Sequence, residues 1–514
     1  MSSRALNTIK NSLFNICNQF LAIVLQFIIR TVFIRCLALE YLGVSGLFSN
    51  ILSMLSLTEL GLGAAIVCSM YKPLADNDHD EINRYFNIYR GVYTIIGCFI
   101  CGLGLVLLPF LQYLIKDASN IPNLKLLYVL YLSDTVASYF FAHYRSLLSA
   151  DQKEYVNTNN RSLFLVIQTA AQIVLLYTTH NYILFLSAKI ACNILSSYVL
   201  SIKVKRRYPY LKTIRVVSLD ASALMTLKRD TVGVFSTRIA MTVLNSTDSL
   251  IMSAFLGSIV TAYYSNYSLL VGTVGTAMGL IFSSVQASIG NYCVTQTIED
   301  QKKLFFNLNY LYFCIYGFCT VCLFGLISPF VEIWLGESFT LPCVVVVAIV
   351  AKFYFGNVRQ TVLNFLSVNH LLNKITIKNV IEVVVNLVVS IVLVKRIGIA
   401  GIFVGTSIGM LSTSLWFEPV VLFKEHLHGN IWSYFLKTLS YLFVIALGCF
   451  AANRVVLLLF NRTIMSFILS TVAVGITAVV STTIPFLKTN EFSYMLRRIR
   501  NAVHFGGDHS EKGM

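Results

Sequence analysis

Eleven ionisable side chains lie inside stretches of this chain that are otherwise strongly apolar. Seven are cations: Arg30, Arg35, Arg145, Lys189, Arg238, Lys352 and Arg359. Four are carboxylates: Glu59, Asp134, Asp248 and Glu382. An ionised group is costly in hydrocarbon, so charges at that depth pair with one another or face water, and they mark paths for polar cargo. The balance of three positive charges suits an anion that cannot cross a bilayer unaided. A carboxylate at that depth can also carry a coupling ion, because desolvation raises its proton affinity and a nearby cation lowers it.

Spacing organises these charges. Asn15, Gln19, Gln26 and Arg30 fall on one stripe of a helix, and Asp134, Ser138 and Arg145 share a face of another. Further stripes hold Arg238, Thr242, Asn245 and Ser249, then Lys352 and Arg359, then Asn379, Glu382, Asn386 and Ser390. Arg30, Arg238, Lys352 and Arg359 are therefore expected to face one aqueous space. Arg35 and Arg145, near span ends, can snorkel to the interface. Among the carboxylates, Asp134 shares its face with Arg145 as a fixed pair would. Asp248 is ten residues from Arg238, about 15 Å along a helix and too far to pair with it. Glu382, flanked by Asn379, Asn386 and Ser390, reads as a hydrated ion site. Glu382 and Asp248 thus rank above Glu59 and Asp134 as ion-coupling groups.

Other chemistries find less support. Cys98-x-x-Cys101 and Cys319-x-x-Cys322 have metal-like spacing, but they sit in apolar helices with no partner pair in an aqueous loop. There a thiol behaves as a small hydrophobe, and no metal or other cofactor is expected. His143 is the single histidine within a span, and His426-x-His428 lies in a loop without a third ligand. A membrane-embedded polymerase or acyltransferase would want a large outer loop or a histidine-based constellation, so no enzyme is expected.

The elements that hold these charges are membrane helices. Of 514 residues 56% are hydrophobic and 12% charged, against roughly 25% charged in a soluble chain. Apolar runs long enough to cross a ~30 Å slab recur along the whole length, without the alternation of a β-barrel. Fourteen spans are expected, at about 12–35, 42–70, 91–115, 124–148, 162–178, 182–202, 230–256, 259–291, 305–331, 341–367, 376–395, 399–423, 433–452 and 463–486. The fold class is all-α and polytopic: two six-helix lobes related by a pseudo-two-fold axis, plus two C-terminal helices. The expected domains are a lobe at 1–204, a cytoplasmic loop at 205–228, a second lobe at 229–425, two additional helices at 426–487 and a tail at 488–514. Leu47-Phe48-Ser49-Asn50 and Tyr263-Tyr264-Ser265-Asn266 lie 216 residues apart and hint at an internal repeat. Gly61, Gly63, Gly272, Gly275 and Gly279 have the spacing of close helix packing.

The net charge of +16 is a topology signal rather than a nucleic-acid footprint. Loops on one side carry 26 of the 39 Lys and Arg, and those on the other carry six. That asymmetry sets both termini in the cytoplasm. The opening residues show no cleavable signal and begin the first helix.

Several segments resemble the bacterial polysaccharide flippases, the Wzx-like O-antigen and teichoic-acid exporters. Their superfamily also holds the MATE drug exporters and the lipid II flippase. The resemblance is carried by Phe33-Ile34-Arg35-Cys36-Leu37, Glu40-Tyr41-Leu42-Gly43 and Glu59-Leu60-Gly61-Leu62-Gly63. It continues in Tyr144-Arg145-Ser146-Leu147-Leu148-Ser149-Ala150-Asp151-Gln152-Lys153, Asp248-Ser249-Leu250-Ile251, Phe330-Val331-Glu332-Ile333-Trp334-Leu335-Gly336 and Glu382-x-x-x-Asn386-Leu387. It covers residues 8–425 and implies a flippase of the inner membrane. The implied cargo is an undecaprenyl-pyrophosphate-linked oligosaccharide, moved to the outer leaflet by alternating access with H⁺ or Na⁺ coupling. The pyrophosphate and inner sugars would then contact the cavity cations, and the implied partners are membrane lipids, a polysaccharide polymerase and glycosyltransferases. A MATE-like drug or cation antiporter is the alternative, which the cationic balance disfavours.

Overall fold

A computed structural model describes residues 3–56, 62–211 and 221–498. Among them every regular element is helical, and twelve helices are long and apolar enough to cross a membrane. The protein is a multi-pass membrane protein. Two more expected spans are present but interrupted: 42–70 becomes α2 (Leu39–Leu55) and α3 (Leu62–Asp76), and 124–148 becomes α6 (Leu124–Phe140) and α7 (Ala142–Ala150).

The chain divides into two compact units, Met1–Ala262 and Tyr263–Met514. Unit 1 contains α1 (Ser3–Cys36), α2, α3, α4 (His79–Leu107), the short α5 (Leu111–Leu114), α6, α7, α8 (Glu154–Thr179), α9 (Tyr182–Arg207) and α10 (Ala221–Leu256). Helix α10, the first span of the expected second lobe, packs here against α2. The unit boundary falls inside α11 (Ser258–Thr295). One large apolar core, from Phe33 through Phe48, Tyr128 and Leu147 to Leu200, fills the spaces between these helices. At the α10–α11 turn, Gly257 adopts φ +98° and the Asp117 carboxylate accepts from the Ser258 amide at 3.0 Å and its hydroxyl at 2.5 Å. That caps a helix start with an anion, the favourable sign there. Gly43 of α2 lies against the same turn, where a Cβ would sit 1.9 Å from the Ser258 carbonyl oxygen.

Unit 2 continues with α12 (Ile298–Leu335), α13 (Cys343–Val358), α14 (Gln360–Val368), α15 (Thr376–Ile397), α16 (Ile399–Ser412) and α17 (Ser414–Leu422). It ends in α18 (Ile431–Leu459) and α19 (Ile464–Thr483). The last two helices pack on α12 and share a core with it around Phe313, Val321, Tyr441, Ala452 and Val474. Helices α15 and α16 approach most tightly: a Cβ on Gly405 would sit 2.7 Å from the Ser390 amide nitrogen, and one on Gly401 2.4 Å from the Leu393 carbonyl. By contrast, a Cβ on Gly272, Gly275 or Gly279 would meet no described atom within 4 Å. Their spacing suggested close packing, but spacing does not say which way a small face points. Gly61 lies outside the described residues.

A stretch of backbone repeats between the units with a shift of 218 positions. The bend at Phe141 between α6 and α7 matches the bend at Arg359 between α13 and α14. Each bend is followed by a nine-residue helix, then by a residue with positive φ: Gln152 at 55°, His370 at 58°. The next amide closes each turn at 2.8 Å, Lys153 to Leu148 and Leu371 to Leu366. Helices α8 and α15 end in register, at Thr179 and Ile397, before His180 (φ 48°) and Gly398 (φ 61°).

Candidate functional site

Of the eleven charges singled out by type and depth, Asp134, with Lys189 paired to it, and Arg145 line one cavity in unit 1. It measures about 370 Å³ and lies among α6, α7, α8 and α9. Nine of its twelve lining residues are polar, among them Asp134, Arg145, Arg161 and Asn193. Its geometry is specified by hydrogen bonds. Lys189 Nζ approaches Asp134 Oδ2 at 3.2 Å, and Asn193 Nδ2 donates to Asp134 Oδ1 at 2.8 Å. Arg145 donates from an Nη to the Ser138 carbonyl at 2.8 Å. Asp134 therefore takes Lys189 from α9 as its ionic partner, although Arg145 shares its helical face. The bend at Phe141 lies between Asp134 and Arg145, so a uniform helix no longer relates them. Beside the cavity Asn160 donates to the Ser196 carbonyl at 2.9 Å and accepts from Lys203 at 2.8 Å.

Unit 2 gathers a different constellation. Arg359, Lys378, Glu382 and Glu418 close a ring of four ion pairs. Arg359 contacts Glu382 at 3.1 Å and Glu418 at 3.0 Å; Lys378 contacts Glu382 at 2.9 Å and Glu418 at 2.7 Å. Ser414 donates to Glu382 at 2.6 Å and accepts from Lys378 at 2.8 Å, so the three ammonium protons of Lys378 all have acceptors. No member is more than 4% exposed. Two cations and two carboxylates cancel, which is how charges persist in a low-dielectric interior. One Glu418 oxygen and the Arg359 Nε lack hydrogen-bond partners.

Glu382 thus occupies a dry salt-bridged ring in this conformation rather than an open polar stripe. Its stripe mates Asn386 and Ser390 bond within the α15–α16 seam, Asn386 to Thr406 at 2.7 Å and Ser390 to the Ile402 carbonyl at 3.1 Å. Sequence reasoning passed over half of this ring. Lys378 and Glu418 are absent from the eleven charges singled out above, although both fall inside expected spans, 376–395 and 399–423, within six residues of a span end. The spacing Lys378-x-x-x-Glu382, one helical turn on one face, was the available signal.

The remaining candidates divide between the two units. Arg30 is half-buried, with Tyr131 and Tyr182 as electrostatic neighbours, and Asn15 of its stripe accepts from Thr158 on α8 at 3.1 Å. Arg35 is exposed at the end of α1, and Arg238 is exposed on α10. Lys352 lies 5.9 Å over the Phe403 ring, and Asp248 is fully buried on α10 in unit 1. Glu59 falls outside the described residues. Among the described residues no three His, Cys, Asp or Glu side chains are grouped to hold a metal ion.

No family model and no curated protein matches the chain. Solved structures do. The lipid II flippase MurJ, in an inward closed conformation, superposes with a TM-score of 0.64 at 15% identity, over 92% of this chain and 98% of its own. An inward-facing multidrug resistance MATE family transporter of the MOP superfamily gives 0.56 at 15% identity, over 77% and 91%. The Vibrio cholerae MATE transporter VcmN, as a point variant, gives 0.53 at 14%, over 83% and 99%. The chain shares the fold of these proteins.

Proposed function

We propose that the protein is a flippase that carries an undecaprenyl-pyrophosphate-linked oligosaccharide from the cytoplasmic to the outer leaflet of the inner membrane by alternating access. The observation that carries this reading is a fold shared nearly end to end with a lipid II flippase. The chemistry of unit 1 supports it: a polar cavity among membrane helices bears cations, which attract an anionic head group and repel a cationic drug. A MATE-like exporter is the second reading, supported by the same fold in two MATE transporters.

Ion coupling belongs to this proposal. Asp248, fully buried at membrane depth on α10, is the first carboxylate to test. The test reconstitutes the protein in liposomes with a fluorescent undecaprenyl-pyrophosphate disaccharide and scores its appearance in the outer leaflet by a membrane-impermeant quencher. The expected result is protein-dependent flipping accelerated by an H⁺ or Na⁺ gradient and blunted in Asp248→Asn. Export of ethidium with no lipid movement would replace this reading by the MATE-like one.

A further inference from the structure

The unit 1 cavity has a composition that narrows what it can bind. Its volume of about 370 Å³ lies within the range of ligand pockets, roughly 300–1,000 Å³. A pocket for an apolar or drug-like ligand would be mostly hydrophobic; this one has three apolar lining residues in twelve. Asn157 and Asn193, whose amides already donate to Glu154 and Asp134, each keep one N–H and an acceptor oxygen; the Ser138 hydroxyl, which donates to the Thr135 carbonyl, can accept, and those of Ser196 and Ser197 can do either. Such paired donors and acceptors match the neighbouring hydroxyls of a sugar ring. Arg145 and Arg161 add guanidinium forks, the geometry that grips an oxyanion with two parallel hydrogen bonds. Asp134, tied to Lys189 and Asn193, supplies a fixed acceptor at the other wall.

One carboxylate stands beside the arginines. Glu154 is an electrostatic neighbour of both Arg145 and Arg161, and its Oε1 accepts from Asn157 at 2.7 Å. It lies where an incoming anion would have to compete with it.

We propose that this cavity is the binding site for the sugar end of the cargo next to its anionic group: a pyranose ring carrying an oxyanion, with Arg145 and Arg161 on the oxyanion, Asn157, Asn193 and Ser197 on the hydroxyls, and Glu154 as an internal competitor. This rests on the flippase reading and assigns the head group to unit 1. The oxyanion has two chemical sources, the phosphate of a sugar ester or the carboxylate of an acidic sugar, and the probes separate them.

The experiment uses the full chain in nanodiscs, with native cysteines replaced and Ala137→Cys, at a lining position given no contact, installed as a reporter. Its alkylation by a hydrophilic maleimide is timed with glucose 1-phosphate, glucuronate or glucose. Protection by glucose 1-phosphate assigns a phosphate-bearing sugar, and protection by glucuronate an acidic sugar; glucose should protect least. Arg145→Gln with Arg161→Gln should weaken protection about tenfold or more, as loss of hydrogen bonds to a charged group does. Glu154→Gln should strengthen it, a change of sign that a merely structural role would not give. Protection by none of the three probes, or equal protection in the double-Gln variant that keeps the parent's unfolding temperature, overturns the assignment. The liposome flipping assay separates the two ideas. Flipping without protection refutes the subsite alone, and protection without flipping refutes the flippase reading alone.

Discussion

At the bend between α6 and α7, unit 1 has Phe141; at the matching bend 218 positions on, unit 2 has Arg359. The other three charges of the unit 2 ring fall on Asn160, Phe164 and Leu200 of unit 1. The exchange runs both ways. Arg145, Asn157, Asn193 and Ser197, which line the open cavity of unit 1, match Leu363, Ile375, Leu411 and Leu415. One contact survives with new chemistry: Asn160 on Ser196 becomes Lys378 on Ser414, at 3.0 and 2.8 Å. The backbone path is the same in both units, but in unit 2 the charges turn inward and cancel, while in unit 1 they line a space. The helix-packing residues explain part of the difference. Gly401, Gly405 and Gly409 bring α15 and α16 together, where unit 1 has Ile183, Ser187 and Ala191.

The comparison can be broken most forcefully in the ring. Glu418→Ala leaves Arg359 and Lys378 facing one carboxylate, a buried imbalance of about 3–5 kcal/mol. Purified variant should lose most of its folded yield, or unfold well below the parent in a thermal scan. Removing charge in balance, as Lys378→Met with Glu418→Leu, should recover much of that stability, because the surviving Arg359–Glu382 pair stays matched. A double variant as weak as the single one would show that the ring acts by shape rather than by neutrality.

Gly405→Ala comes next. Its Cβ would press on the Ser390 backbone, and overpacking of that kind costs about 1–3 kcal/mol. The matched change in unit 1, Ser187→Ala, should leave the unfolding temperature nearly unchanged. Asn160→Leu should then cost about 1–2 kcal/mol, the range for leaving a partner such as Lys203 without its acceptor. Smallest of all, Asp134→Asn loosens a half-buried pair with Lys189 and should cost under about 1 kcal/mol. If Asp134→Asn proves as damaging as Glu418→Ala, the two seams are alike in energetics and the contrast drawn between them fails.

The membrane helices were plainly legible, because apolar length leaves little choice. The expected spans 124–148 and 341–367 were legible as apolar runs, but the bends inside them were not: neither Phe141 nor Arg359 is a helix breaker. Charges were found by type and depth, and Asp134, with Lys189 paired to it, and Arg145 did converge on one cavity. Their partners were not legible, since Glu382 and Glu418 are 36 residues apart and meet through a helix pair that no local pattern encodes. Arg161 falls just outside the expected span 162–178, because the hydropathy window opens that span too late: α8 begins at Glu154.

The repeated backbone has a consequence for how such a protein can change over generations. Two copies of one path have diverged, with the ring of fixed charges in one copy and the polar recess in the other. A substitution in the recess meets half-buried or exposed side chains and space, so it carries little risk to folding. The same substitution at the matching place in unit 2 would strike tightly packed or ion-paired atoms. Sequence diversity is therefore expected to accumulate in the unit 1 recess, where novelty is tolerated, while its twin supplies the robustness that makes the experiment survivable.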